Sequence, residues 1–410
     1  MITDLLGSHA RQNGDKPFVV THGATYSYAQ MHSASLCFAS RLRSMGIGEG
    51  DHVALIASNG AAFLACWFGI SLVGAVAVTL SNELVGDGLQ YTVTQSDSRL
   101  LIVDSEWLQA RNGRLDGKLG SLPVLSIASD ADFFRELRGL PTAVPATVAA
   151  GSPCTLLYTS GSTGLPKGVL NSHAAYEAAG RQTVLTVGMS ESDRIMVFLP
   201  LFHANPQMFA VMSALSVGAS MAVLRKFSAA SFFEDAVRLD ATCFTFVGTV
   251  LSILVARHTG ERKVHRLRFA VGGGTPSEVW RAIHERFGIR VYEGYGMSEI
   301  GCFVVCNSIA DYRLDSCGKP RTDMEVRIFD GDDRDLGPGE QGEIVVRPRE
   351  PFVIMSGYYK QPELSQQASR NLWFHTGDRG SFDADGYLYF HGRLKELIRR
   401  GGEMISPVEI

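Results

Sequence analysis

Tyr158-Thr159-Ser160-Gly161-Ser162-Thr163-Gly164-Leu165-Pro166-Lys167-Gly168-Val169 is the stretch on which the fold assignment turns. It follows an apolar run, Cys154-Thr155-Leu156-Leu157, with the character of a buried strand. Small hydroxyl residues and glycines let a loop close around phosphate oxygens, with hydroxyl and backbone N–H donors pointing inward. Lys167 adds a point charge suited to β- and γ-phosphates. The stretch is not a Walker A loop, because Lys167 precedes Gly168 and no Gly-Lys-Ser/Thr occurs. The competing reading is a flexible surface loop, and a dozen ordered positions of this kind argue against it.

Outward from this loop, strand and helix signals alternate over the first 300 residues. Ser27-Tyr28-Ala29-Gln30 is a capping box, opening a helix expected to end near Gly46. Val53-Ala54-Leu55-Ile56, Leu100-Leu101-Ile102-Val103 and residues 195–199, 221–224, 243–247 and 267–271 are apolar runs buried on both faces. Residues 61–80 carry no charge over about twenty positions, long enough to cross a bilayer. Gly69 and Gly74 interrupt them, and the texture changes from helix-like to strand-like, so a buried helix feeding a buried strand is expected. After residue 310 the pattern becomes alternating, with strands at 324–328, 343–347 and 387–390 around a Gly/Asp/Pro-rich turn at 331–339.

The chain has 410 residues, 45% of them hydrophobic, enough for more than one core. Its 38 Lys and Arg against 42 Asp and Glu give a formal net charge of -4. That balance lacks the basic footprint of a nucleic-acid binder. The 7 cysteines are odd in number and mostly apolar in setting, as expected of reduced thiols in a cytoplasmic protein. Cys302 and Cys306 are the closest pair, with no second pair at zinc spacing. The N-terminus has no basic and apolar signal segment.

Further motifs follow the loop in order: Phe198-Leu199-Pro200-Leu201-Phe202-His203, Gly272-Gly273-Gly274-Thr275-Pro276, Tyr292-Glu293-Gly294-Tyr295-Gly296-Met297-Ser298-Glu299, Trp373-Phe374-His375-Thr376-Gly377-Asp378 and Gly392-Arg393-Leu394-Lys395-Glu396. Together with the loop, and over nearly the whole chain, they resemble the ANL superfamily of adenylate-forming enzymes, which holds acyl- and aryl-CoA synthetases, adenylation domains and luciferases. The resemblance implies two α/β subdomains with layered, mostly parallel sheets (residues 1–170 and 171–310) and a smaller antiparallel β-barrel subdomain (311–394). A hinge and the start of a C-terminal lobe would occupy 395–410, where the chain stops. That lobe's usual lysine has no counterpart here.

By the same resemblance, Thr159, Ser160, Gly161, Ser162, Thr163, Gly164 and Lys167 hold phosphates. Gly272, Gly273, Gly274, Thr275, Pro276, Glu293 and Gly294 border adenine, Tyr295 stacks on it, and Gly296, Met297 and Ser298 run along the α-phosphate. Many relatives carry Thr where Ser298 stands. Glu299 binds Mg²⁺, a hard cation that prefers carboxylate oxygen. Asp378 accepts from both ribose hydroxyls, as an ionised carboxylate can, although a turn residue is the plainer alternative. Arg393 assists at ribose and phosphate, and Lys395 is the pivot. Lys167, Ser298, Glu299 and His203 are the catalytic candidates, with His203 otherwise a core histidine. His203, Asn205, Phe246, Val247, Gly248, Thr249, Gly273, Gly296, Met297 and Ile300 would line an acid pocket, with Gly248 and Gly273 leaving space and Phe246 limiting depth.

The implied reaction is ATP- and Mg²⁺-dependent conversion of a small carboxylic acid to an acyl-adenylate, then transfer to coenzyme A. Loading of an acyl carrier protein and nitrite activation are alternatives within the superfamily. A nucleotide-binding module inactive without its C-terminal lobe is the alternative from another class. The pocket motif, Phe202-His203-Ala204-Asn205, lacks the Asp that pairs with an α-amine, which argues against an α-amino acid.

Overall fold

The computed structural model describes residues 1–111, 117–159, 165–259, 264–394, 398–400 and 403–405. Two large sheets form its frame. In the nine-stranded sheet, Pro17–Val20, Ser220–Val223, Arg194–Val197, Cys243–Val247, Phe269–Gly273 and Arg290–Tyr295 run parallel in that spatial order. Antiparallel strands complete both edges, Thr25–Ser27 at one and Val305–Cys306 with Lys319–Pro320 at the other. In the seven-stranded sheet, Val124–Ile127, Ser98–Asp104, His52–Ile56, Val76–Thr79 and Pro153–Thr159 are parallel, followed by antiparallel Lys167–Ser172 and Gly357–Tyr358. Sheet membership departs from chain order: the hairpin at residues 17–27 joins the second α/β sheet, and Gly357–Tyr358 joins the first.

Helices lie between the sheets, and one continuous apolar core contains residues from facing sides of both, such as Val53, Leu55 and Ala77 on one and Ile195, Val271 and Met221 on the other. The helix Tyr28–Ser44 begins at the reciprocal Ser27–Gln30 box read from the sequence. The helix Ala61–Leu72 is buried on every side and leads into the buried strand Val76–Thr79. Its N-terminus has no capping side chain of its own. Asp130 supplies one, accepting from Ala61 N at 3.0 Å and Ala62 N at 2.8 Å. No helix among the described residues is long and apolar enough to cross a membrane.

The β-rich segment is a four-stranded antiparallel sheet in the order Met324–Phe329, Gly342–Pro348, Phe374–Phe382, Leu388–Arg393. The expected barrel is not closed among the described residues. Four strands are too few to curl around a core of their own. Instead Met324, Val326, Ile344, Val346 and Phe374 pack with Val169, Tyr295 and Val305 of the larger sheets and with Ile300 of the short helix Ser298–Ile300.

Candidate functional site

The candidate residues gather at the carboxyl ends of the parallel strands, where open α/β sheets leave crevices. Thr159 closes one strand and Lys167 opens the next, opposite each other in an antiparallel pair. Ser160, Gly161, Ser162, Thr163 and Gly164, expected at phosphate, lie outside the described residues, as does Lys395. Tyr358 pairs with Val169 on the far side of the return strand. Lys167 Nζ stands 5.6 Å from the centre of the Tyr358 ring, and the Tyr358 hydroxyl donates to Glu299 Oε1 at 3.1 Å. Thr159 Oγ1 donates to the same oxygen at 3.5 Å. Burial pushes the Glu299 carboxyl above its ordinary range, with a backbone hydrogen bond, the Tyr358 hydroxyl and the charges of Arg393 and Lys167 acting the other way.

A second cluster joins the nine-stranded sheet to the four-stranded one. Tyr295, at the end of Arg290–Tyr295, donates its hydroxyl to Asp378 Oδ2 at 2.8 Å. Arg393 Nε lies 3.0 Å from Asp378 Oδ1, because Asp378 and Arg393 are paired in register. Burial raises the Asp378 carboxyl, and Arg393 opposes the rise. Phe390, 47% exposed, stacks on Tyr295 at 5.8 Å between centroids. Phe390 thus covers one face of the Tyr295 ring.

The glycines serve a different purpose from the one expected. A Cβ on Gly248 would stand 1.7 Å from Gly274 O, on Gly272 2.1 Å from Phe246 O, on Gly273 2.6 Å from Gly294 O, and on Gly296 2.1 Å from Cys302 O. Backbone already fills the space that Gly248 and Gly273 were expected to leave, so these glycines allow chain segments to approach each other. Glu293 Oε1 fastens the turn after them, accepting from the N–H groups of Gly274 and, at 3.2 Å, Thr275.

The pocket wall is also corrected. Phe246 and Ile300 are fully buried, Phe246 among Phe198, Phe244 and Leu251 and Ile300 among Val169, Tyr295 and Val304, so neither lines an opening. His203, Asn205, Val247, Thr249, Gly273 and Met297 keep partial exposure, as does Ser298, and Gly296 is exposed. Asn205 begins a π-helix, Asn205–Val211. Its Nδ2 donates to Phe246 O at 3.1 Å, and its buried Oδ1 has no partner. Two surface cavities, of about 670 and 270 Å³, lie at residues 12–17 with 191–194 and around Asp193 and Arg268, and share no lining residue with this region.

Tyr358 and Phe390 belong to none of the motifs that carry the family resemblance. Tyr358 stands in Ser356-Gly357-Tyr358-Tyr359, where nothing local marks it, and only strand register brings it to Glu299. Phe390 was legible as an apolar strand residue, not as the cover of Tyr295.

Residues 6–359 match the family described as AMP-binding enzyme. Crotonobetaine/carnitine–CoA ligase of Salmonella paratyphi A is 31% identical over 402 residues, covering 94% of this chain and 77% of that protein. Sulfoacetate–CoA ligase of Cupriavidus necator is 32% identical over 424 residues, covering 99% and 81%. Among solved structures, the anthranilate CoA ligase in complex with anthranoyl-AMP superposes with a TM-score of 0.87 at 26% identity, covering 100% of this chain and 80% of that one. The class is that of AMP-forming acid–thiol ligases with the ANL fold. The chain belongs to the AMP-binding enzyme family.

Proposed function

We propose that the protein activates an aryl or medium-sized acyl acid and transfers it to coenzyme A. The substrate carboxylate attacks the α-phosphorus of ATP, the bond to the bridging oxygen breaks, and pyrophosphate leaves. The thiol then attacks the acyl carbon and AMP leaves. The carboxylate is already a nucleophile, so the work is positioning and charge stabilisation. The observation that carries this reading is the convergence of Lys167, Tyr358 and Glu299 beside Thr159, together with that of Tyr295, Asp378 and Arg393. Lys167 is suited to the phosphates, and Asp378 with Arg393 to the ribose edge. Support for coenzyme A as the thiol comes from the three relatives named above, each a CoA ligase.

Mg²⁺ suits Glu299. Among the described residues no group of three or more His, Cys, Asp or Glu could hold a metal. Mg²⁺ commonly uses one or two carboxylates and completes its shell with phosphate oxygens and water. A buried carboxylate raised by desolvation gains from such a cation, which would neutralise developing phosphate charge.

Val247 and Met297 give the wall apolar area, worth roughly 25 cal/mol per Å² buried. No Asp, Glu, Lys or Arg stands among its partly exposed residues. The unpartnered Asn205 Oδ1 favours an acid bearing an N–H or O–H donor, as anthranilate does. The test is pyrophosphate release with benzoate, anthranilate, cinnamate, octanoate and palmitate, with and without coenzyme A. Turnover is expected to favour the aryl acids, anthranilate over benzoate. A clear preference for palmitate, or activity only with a dianionic acid, overturns the substrate class.

A further inference from the structure

The turn that presents His203 is held by a directed chain of buried hydrogen bonds from outside its own sheet. Tyr176, on the helix His173–Val187, donates to Gln207 Oε1. Gln207 lies on the π-helix, and its Nε2 donates to Thr79 Oγ1 at 3.2 Å and to Leu201 O at 2.6 Å. Thr79, the last residue of Val76–Thr79 in the seven-stranded sheet, donates its hydroxyl to Phe202 O at 3.0 Å. Tyr176 and Gln207 are 0% exposed and Thr79 is 2%.

The proton positions follow from the inventory of donors. Thr79 has one hydroxyl hydrogen, given to Phe202 O, so it accepts from Gln207. Both amide hydrogens of Gln207 are then used, and turning the amide over would set its oxygen against Leu201 O and Thr79 Oγ1, losing both of those bonds. Asn59 clamps the other flank, donating to Leu199 O at 2.9 Å and accepting from Leu201 N at 2.8 Å. The wide winding of a π-helix, frequent at functional sites, sends Asn205 to Phe246 O and Gln207 back to Leu201 O on the same turn.

We infer that Thr79 and Gln207 are positioning residues for the acid. They fix the Leu201 and Phe202 carbonyls and so set how far His203 reaches into the pocket, coupling the seven-stranded sheet to the acid wall. This rests on placing His203 at the acid. The test compares Thr79→Val, which keeps the shape and removes the hydroxyl, with Thr79→Ser, which restores it, and with His203→Ala. Pyrophosphate release is measured with the most active of benzoate, anthranilate, cinnamate and octanoate. Thr79→Val is expected to raise KM for the acid about tenfold and leave KM for ATP within about twofold, with Thr79→Ser recovering to within about threefold of the parent. If Thr79→Val does not fold, Tyr176→Phe, which removes one hydroxyl at the far end of the chain, is expected to act in the same direction. Equal rises in both KM values, or no change while His203→Ala raises the acid KM, overturn the inference. An unchanged acid KM in His203→Ala overturns the placement of the acid instead.

Discussion

Glu299 is a carboxylate whose two donors, Tyr358 and Thr159, reach the same oxygen in a buried setting. Glu299→Gln preserves shape and an acceptor for Tyr358 while removing the charge. If Glu299 serves the cation, kcat/KM for MgATP falls by roughly 10²–10³-fold, whereas AMP affinity, measured by calorimetry, moves less than about threefold, since AMP has no β,γ-phosphates to bridge. Equal losses would mark the residue as structural. His173 supplies a different residue-level test. Burial holds its imidazole down to about 4, the Met1 ammonium adds to the effect, and Asp4 and Glu177 oppose it. Between the ordinary value near 6.5 and about 4 the unfolded chain binds a proton that the folded chain does not. Stability attributable to this group is therefore full above about 6.5 and is lost as pH falls, at roughly 1.4 kcal/mol per unit. In urea titrations across pH 7 to 4.5, His173→Gln is expected to flatten the dependence by about one proton. An unchanged slope would show that His173 does not titrate differently on folding.

At the scale of elements, the approach of the helix Gly248–Arg257 to the turn at Gly274 is possible only because position 248 lacks a side chain. Gly248→Ala drives a methyl into a backbone carbonyl, which no rotamer relieves. Destabilisation of about 3 kcal/mol or more is expected from thermal melts. Gly23 has nothing within 4 Å of its Cβ position, so Gly23→Ala is the control, expected within about 1 kcal/mol of the parent. Similar melting temperatures for the two variants would show that the Gly248 contact relaxes freely. The same close approach gives the Gly272–Gly274 segment its composition: glycine lets strand ends cross, and Glu293 then ties down the freed N–H groups.

At the scale of the molecule, the segment leading into the four-stranded sheet is tied to the larger frame by the buried Arg321 as well as by apolar packing. Arg321 makes a two-pronged contact with Asp323, at 2.9 and 2.6 Å, and donates to Phe303 O at 2.7 Å and Gly301 O at 3.3 Å. Both side chains are 1% exposed. Arg321→Met leaves a carboxylate buried without its partner and is expected to cost about 3–5 kcal/mol in urea unfolding. Adding Asp323→Leu is expected to recover most of that loss, because the penalty lies in the orphaned charge. A double variant no more stable than the single one would assign the loss to the carbonyls of Gly301 and Phe303.

The sequence by itself determined whatever depends on neighbours within a few residues: the Ser27–Gln30 box, the helix-to-strand change within 61–80, the apolar strands, and the motifs holding Lys167, Tyr295, Glu299 and Asp378. Capping, periodicity and turn chemistry are local, so they are legible one segment at a time. Only the tertiary structure decided which face of a central strand meets the site. Both faces of Cys243–Val247 are covered, so alternation could not tell that Phe246 points into the core. Register between distant strands brought Tyr358 to Glu299, and no local signal encodes that pairing, whereas Asp378 and Arg393 face each other across consecutive antiparallel strands. Among the described residues the barrel stays open because the apolar face of its four strands finds cover on residues outside them, from Val305, close in the chain, to Val169, more than a hundred residues away.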